Sequence, residues 1–330
     1  MSTMRYKPLG TSGVDVSVVG LGCNVFGMSI DRRQAKAVVD AAVESGINLF
    51  DTAASYSAGA SEEMLGEAIR GHRDQVVIAT KFADTLRGLP EIPPGRPDQV
   101  AAALDASLAR LGVEFVDLFY YHMPDGVTPI EETLGAMQDL VEAGKTRALG
   151  CSNFLAAQLS EADELAGESG RARLQAVQNQ YGLLERDAER DVLPLARELE
   201  IGFIPYMPLA NGLLTGKYRR GLDPPEGSRL GYFRSIGVGG ELLGDDRFQQ
   251  VERLEQFASE QGHSLLELAI AAPASTPGVA SVLVGATSPE QVRANAAAAE
   301  WELDAETLDA VPRAESLGMN LGFRAGDLRR

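Results

Sequence analysis

The sequence predicts an α/β protein folded as a (β/α)8 barrel. Three observations predict it. Eight short, nearly continuous apolar runs are spread along the 330 residues, as expected of parallel strands covered on both faces. Amphipathic stretches of helical length separate them, several closing on glycine. Consecutive runs then end at polar, ionisable side chains, and barrel enzymes gather their chemistry at the C-terminal ends of strands.

The first segment, MRYKPLGTSGVDVS, reads as a β-hairpin around Thr11-Ser12-Gly13, a plug for the N-terminal end of the barrel. The barrel strands are expected at 16–22, 47–51, 76–81, 116–122, 146–152, 174–180, 201–206 and 280–286. Helices are expected at 31–46, with Asp31 as N-cap and Gly46 as stop, and at 61–71, 96–112 and 128–144. Gly20, Gly22 and Gly27 imitate a dinucleotide fingerprint. That motif needs its helix to open at the glycines, and here the helix opens near Asp31, so a Rossmann domain is rejected. Residues 207–246 form a long Gly/Pro-rich loop after the seventh barrel strand, and such loops are commonly functional. Pro273 should end or kink the helix before the last strand. With no low-complexity linker, residues 1–330 read as one domain.

The composition is that of a soluble globular chain, 45% hydrophobic and 23% charged with a mean hydropathy of −0.08. No apolar run is long enough to span a bilayer, and MSTMRYKPLG has no signal-peptide core. Cys23 and Cys151 suggest neither a disulfide framework nor a zinc site. A cytoplasmic location is expected. The net charge of −17 argues against a nucleic-acid or anionic-membrane partner. Residues 208–234 run the other way. Lys217, Arg219, Arg220, Arg229 and Arg234 outweigh Asp223 and Glu226, a local +3 that predicts an anionic ligand.

Asp51, Tyr56, Lys81 and His122 lie at or just past three consecutive strand ends, in INLFDTAASY, VVIATKF and VDLFYYHMPD. One cleft holding all four suits reduction of a carbonyl. As charge develops on oxygen, a donor must supply a proton, and it works best when its pKa approaches the working pH. Tyrosine titrates near 10 in isolation, and a neighbouring cation such as Lys81 should lower that value. Asp51 can keep the Lys81 ammonium charged, and His122 can orient the oxygen. Taken singly, Tyr56 reads as a loop tyrosine and His122 as a core histidine. Their shared position gives them a joint meaning.

GINLFDTAASYSAGASEEMLGEAI, VVIATKF and DLFYYHMPD resemble the segments that carry the catalytic Asp, Tyr, Lys and His of the aldo-keto reductase family. GKTRALGCSNF, VQNQYGLLER, IPYMPLANGLLTGKY and VLVGATSPEQVRANAAA resemble its later motifs, in order, from about Tyr6 to Ala299. The branch resembled contains bacterial general reductases and potassium-channel β-subunits. The resemblance implies that Tyr56 is the general acid, tuned by Lys81 and Asp51, with His122 orienting substrate. It implies an NADP(H) cofactor. Ser152, Asn153 and Gln178 would bind the nicotinamide carboxamide, Tyr206 would stack on the ring, and Gly22 and Asp51 would lie alongside. Leu209, Gly212 and Leu214 would cross the pyrophosphate, and Lys217 and Arg229 would meet the 2′-phosphate. Gly285, Thr287, Gln291 and Asn295 would meet the adenosine side, where Ser288 and Pro289 open the last helix. Two departures stand out. GATSPEQ lacks the basic residues of many members, and Met207 occupies a position that is commonly Ser.

The expected activity is reduction of a small-molecule carbonyl substrate. The alternatives are a cofactor-binding redox sensor or regulatory subunit, and a phosphate-binding barrel isomerase or lyase. Substrate choice rests on the loops at 23–30, 84–95 and 123–127 and on the tail after 312. Phe26, Met28, Phe82 and Met123 read equally as an apolar mouth or as structural packing. Oligomeric state is left open.

Overall fold

The computed structural model describes residues 4–85, 88–169, 172–237 and 243–314. The expected tail after 312 falls mostly outside these residues, as do short parts of the 84–95 and 207–246 loops. A hairpin of β1 (Tyr6–Pro8) and β2 (Asp15–Ser17) leads the chain. The barrel strands follow: β3 (Val19–Gly22), β4 (Leu49–Asp51), β5 (Val77–Phe82), β6 (Val116–Tyr121), β7 (Thr146–Ser152), β8 (Ala176–Gln178), β9 (Gly202–Phe203) and β10 (Val282–Gly285). All seven strand-to-strand ladders are parallel, in the order β10-β3-β4-β5-β6-β7-β8-β9. Backbone bonds from Phe203 N to Gly278 O and from Leu283 N to Pro205 O join β9 to the β10 segment, closing the ring. The fold is the expected (β/α)8 barrel.

The helices are α1 (Arg32–Glu44), α2 (Ala60–Ala68), α3 (Pro97–Leu111), α4 (Ile130–Glu142), α5 (Ala156–Ser169), α6 (Val192–Glu198), α7 (Arg229–Ser235), α8 (Asp245–Glu260), α9 (Leu265–Ser275), α10 (Pro289–Ala298) and α11 (Ala305–Ala310). Local chemistry sets their ends. Asp31 and Gln34 make a reciprocal capping box at α1, and Gly112 takes a left-handed conformation at the end of α3. No helix among the described residues is long and apolar enough to cross a membrane.

Two cores hold the barrel. Inside it, Leu49, Val77, Ala79, Leu118, Tyr120, Ala148, Ala176, Ile204 and Leu283 pack with Leu9 and Val16 of the hairpin, which therefore fills the floor. Outside, the opposite strand faces meet the helices: Phe50, Ile78, Phe119 and Leu149 pack on Val38, Leu65, Leu104 and Met137. Strands buried on both sides explain the continuous apolar runs.

Three expectations change. The run 16–22 is two strands, because Ser17 turns the chain by donating its N–H to Asn48 Oδ1 and its hydroxyl to Val19 O. Pro273 does not end α9, which continues to Ser275. The missing N–H of Pro273 removes one bond, the one to Ala269 O, and the last turn continues past it. The long loop after β9 contains α7, capped where Ser228 accepts from Gly231 N, and α11 rather than α10 is the last described helix. Gly20 is packed against Leu49 and Leu283 in the barrel interior and has no part in a nucleotide turn.

Candidate active site

Level strand ends bring the four polar residues together. Gly22 is in register with Asp51, Asp51 with Ala79, and Lys81 with Tyr120. Asp51 closes β4, Lys81 is the penultimate residue of β5, and His122 follows β6. Tyr56 sits on the turn between β4 and α2. The Lys81 side chain is fully buried and spends its three N–H groups on three acceptors. These are Asp51 Oδ1, Thr52 O at 2.9 Å and Tyr56 OH at 3.2 Å. The other Asp51 oxygen accepts from Gln178 Nε2 at 2.8 Å. The His122 ring stands edge-on to Tyr56, with centroids 6.1 Å apart.

Burial opposes charge on Lys81, but Asp51 and Tyr56 outweigh it and hold the ammonium above its ordinary pKa. For Tyr56 the balance differs. Burial pushes the phenol up, Lys81 pulls it down and Asp51 pushes it up again, and the net direction is upward. The expectation that Lys81 brings Tyr56 below its ordinary value is therefore corrected. Asp51 offsets much of the field that Lys81 exerts on the phenol, while burial acts in full. At neutral pH Tyr56 holds its proton and can donate it. His122 is pushed down to about 3, first by burial and then by Lys81. It is neutral, and its Nδ1 has no hydrogen-bond partner.

The amide set joins this cluster. Ser152 Oγ donates to Gln178 O at 2.8 Å. Asn153, left-handed at φ 60°, accepts from Tyr206 OH at 2.7 Å and donates to His122 O at 3.1 Å. Gln178 uses its N–H on Asp51, which leaves its oxygen as the group for a ligand amide. Next to these, Gly22 and Gly285 face each other in register at the tops of β3 and β10. A Cβ on either would meet nothing nearer than 3.9 Å, so the space above them is open to a ligand backbone.

Beyond the glycines, Thr287 donates to Gln291 Oε1 through its N–H and hydroxyl, and Asn295 Nδ2 donates to Gly285 O. Ser288 caps α10. On the far side, Leu209 and Gly212 lie on a 3-10 turn over Ala210–Thr215. The Leu214 side chain is buried in a second outer core, and its N–H is bonded to Leu209 O. Asn211, which the sequence reading missed, is buried, and neither of its amide atoms has a partner among the described residues. Its neighbours in PLANGLLTGK were legible as a cofactor loop, but its own side chain carried no signal.

The basic island divides in two. Arg219 pairs with Glu255, Arg220 with Glu252 and Arg234 with Asp223. Lys217 and Arg229 have no carboxylate partner among the described residues. Their nearest aromatic neighbours are Tyr218 and Phe233, and Leu230 N donates to Tyr218 OH, tying their two segments together. An open glycine cradle, an unpartnered amide and two unpaired cations fit an extended phosphate-bearing nucleotide beside the tetrad.

The four apolar candidates divide between the two readings. Phe26, Phe82 and Met123 are core residues, and Phe82 stacks between Phe119 and Tyr121. Met28 is exposed, as are Leu89, Ile92 and Val127 on the neighbouring loops. Backbone strain concentrates on this face. Among described residues, Ser57, Ala58, Ala83, Asn153, Met207, Ala210 and Asn211 have positive φ, and Glu200 is the one other non-glycine residue that does. Such residues cost about 1–3 kcal/mol each and cluster at functional sites.

The neutrality of His122 is measurable. In the folded protein its ring should titrate near pH 3 by NMR, against 6.5 when free. Its contribution to stability is complete above 6.5 and is lost as pH falls through about 3. His122→Gln should therefore flatten the acid side of the stability–pH curve. A ring titrating near 6.5 in the folded state would contradict this.

The sequence matches the model of the Aldo/keto reductase family over residues 18–315. It is 37% identical to a rice (Oryza sativa subsp. japonica) protein named "Probable voltage-gated potassium channel subunit beta", covering 88% of this chain and 90% of the relative. It is 33% identical to an aldo-keto reductase of Bacillus subtilis (strain 168), covering 92% and 91%. A Schizosaccharomyces pombe relative, named "Putative voltage-gated potassium channel subunit beta", is 35% identical over 90% and 88%. With the barrel, its level strand ends and the four polar groups in place, these matches establish that the chain belongs to the aldo/keto reductase family of oxidoreductases.

Proposed function

We propose that the protein reduces small aldehydes or ketones using NADPH, with Tyr56 as the proton donor. One observation carries the reading: the Tyr56 hydroxyl lies 3.2 Å from a fully buried Lys81 ammonium that Asp51 keeps charged. A nicotinamide held there would supply a hydride to the carbonyl carbon. The carbonyl oxygen then gains negative charge, and Tyr56 gives its proton to that oxygen. Lys81 favours the resulting phenolate and offsets part of what burial costs it. His122, neutral and edge-on to Tyr56, offers an imidazole N–H that holds the oxygen in line. Positioned proton transfer of this kind is worth about 10²–10⁴-fold in rate.

Ser152, Asn153 and Gln178 would hold the carboxamide, and Tyr206 would stack on the ring, its hydroxyl fixed by Asn153. Gly22 and Gly285 would admit the cofactor backbone, with Leu209, Gly212 and Asn211 across the pyrophosphate and Thr287, Gln291 and Asn295 toward the adenosine. Lys217 and Arg229 would take the 2′-phosphate. Their lack of carboxylate partners supports NADPH over NADH, since neither cation has an ion pair to give up on meeting the phosphate.

A second reading, a cofactor-holding regulatory subunit with little turnover, is favoured by the printed names of the rice and fission-yeast relatives. The complete tetrad favours the enzyme.

Tyr56→Phe should lower kcat by at least about 10²-fold while NADPH still binds, read by nucleotide fluorescence. Wild-type turnover in that variant would overturn the role of Tyr56. A wild-type chain that binds NADPH but reduces nothing in a broad aldehyde panel would favour the regulatory subunit. Lys217→Ala and Arg229→Ala should each weaken NADPH about tenfold, the equivalent of about 1.4 kcal/mol, and leave NADH unchanged. The effect should shrink with added salt, and equal loss for both nucleotides would contradict the assignment.

A further inference from the structure

Tyr56 stands on an unusual turn. Ser57 and Ala58, the two residues after it, both adopt left-handed backbone at φ 50° and 54°, and Gly59 follows at φ 92°. Its internal bonds are short-range: Tyr56 N donates to Ala53 O at 3.1 Å, Ala58 N to Ser55 O at 3.3 Å, and Ala60 N to Ser57 O and Tyr56 O. A turn of strained residues persists only where its surroundings fix it.

The surroundings are specific. Directly after the turn, Ser61 Oγ donates to Cys23 O at 2.8 Å and meets Thr52 Oγ1 at 2.9 Å, tying the start of α2 to the ends of β3 and β4. Glu62 makes the third tie. Its side chain is fully buried, a costly place for a carboxylate unless it is paired and hydrogen-bonded. One oxygen accepts from Thr80 Oγ1 at 2.5 Å and the other from Arg110 Nε at 2.5 Å. Thr80 immediately precedes Lys81 on β5, and its hydroxyl faces the helix layer while Lys81 faces the site. Arg110 comes from the end of α3, reaches over the turn and packs so closely on Gly59 that a Cβ there would lie 2.7 Å from Arg110 Cδ. Gly66 lets the backbones of α2 and α3 meet at Leu111, which brings Arg110 within reach. Ser57 is held from the opposite side, donating to Phe26 O at 2.8 Å.

We infer that the Arg110–Glu62–Thr80 chain is a positioning device for Tyr56, holding the strained turn at hydrogen-bonding distance from Lys81. Glu62 joins the residue before Lys81 to the helix that follows Tyr56, so the Tyr56–Lys81 distance is set across this chain. The inference rests on the catalytic reading of Tyr56, but the clamp can be tested without it.

The test compares Arg110→Met, Arg110→Lys and Glu62→Gln with the wild-type chain. Hydrogen exchange of the Tyr56–Ala60 amides needs no substrate. It should accelerate in Arg110→Met and Glu62→Gln, recover in Arg110→Lys, and stay unchanged in the distant β7 and β8. In the same variants kcat for carbonyl reduction should fall about 10–100-fold, as expected for misplacement on the order of 1 Å. The dissociation constant for NADPH should hold, and Arg110→Lys should restore most of the rate. Unchanged exchange at Tyr56–Ala60 overturns the clamp whatever the activity, and faster exchange with wild-type kcat overturns its positioning role. If wild-type protein reduces no carbonyl, the catalytic reading fails, and exchange alone still decides the clamp. Should Arg110→Met not fold, the near-isosteric Glu62→Gln carries the comparison.

Discussion

The buried ion pair between Lys81 and Asp51 is the constraint around which the site is built. Either charge alone in this position would cost several kcal/mol. Together they are stable because every remaining valence is used: Thr52 O and Tyr56 OH on the ammonium, Gln178 on the second carboxylate oxygen. This accounting ties β4, β5 and β8 together at their C-terminal ends. It also brings Gln178, far away in sequence, to the site beside Asp51. Buried networks of this kind tolerate little disorder, because one missing partner leaves a charge exposed to apolar surroundings.

The same pair acts on the phenol, but burial acts more strongly. Burial outweighs Lys81, whose pull Asp51 partly cancels, so Tyr56 is not a phenolate at rest. In the proposed reaction the phenol would keep its proton until a substrate oxygen became basic enough to take it. A stronger cation would bind a phenolate and lose the donor, and no cation would leave the phenolate unsupported after transfer. Strain sits where this balance is read out, on the Tyr56 turn, after β5 at Ala83, at Asn153 and in the loop after β9.

Most of the barrel was legible in the sequence because its strands are apolar on both faces and its helices carry their own start and stop signals, Asp31 and Gly112 among them. The division of 16–22 was not, because the break lies in two hydrogen bonds of Ser17 with Val19 and Asn48, the latter beyond the next helix. Helix α7 hid in a Gly/Pro-rich stretch whose composition resembles a loop. At the site, Asp51, Tyr56, Lys81 and His122 could be placed together because strand ends in a parallel barrel share one face. The direction of the Tyr56 shift could not, since it depends on how far burial outweighs a half-cancelled charge. Nor could Phe26, Phe82 and Met123 be assigned, as an apolar residue beside a site reads the same whether it lines the mouth or the core. Glu62 and Arg110 were read only as parts of helices, because their meeting is made by the docking of α2 on α3.

The most direct measurement is the single-turnover rate of NADPH oxidation by an aldehyde in the double variant Asp51→Asn, Lys81→Met. Both charges are removed together, so no unpaired ion is left buried and the fold should survive. The account predicts intact nucleotide binding and a chemical step slower by at least about 10²-fold. A single-turnover rate equal to that of the wild-type chain would show that the buried pair does not govern proton delivery from Tyr56.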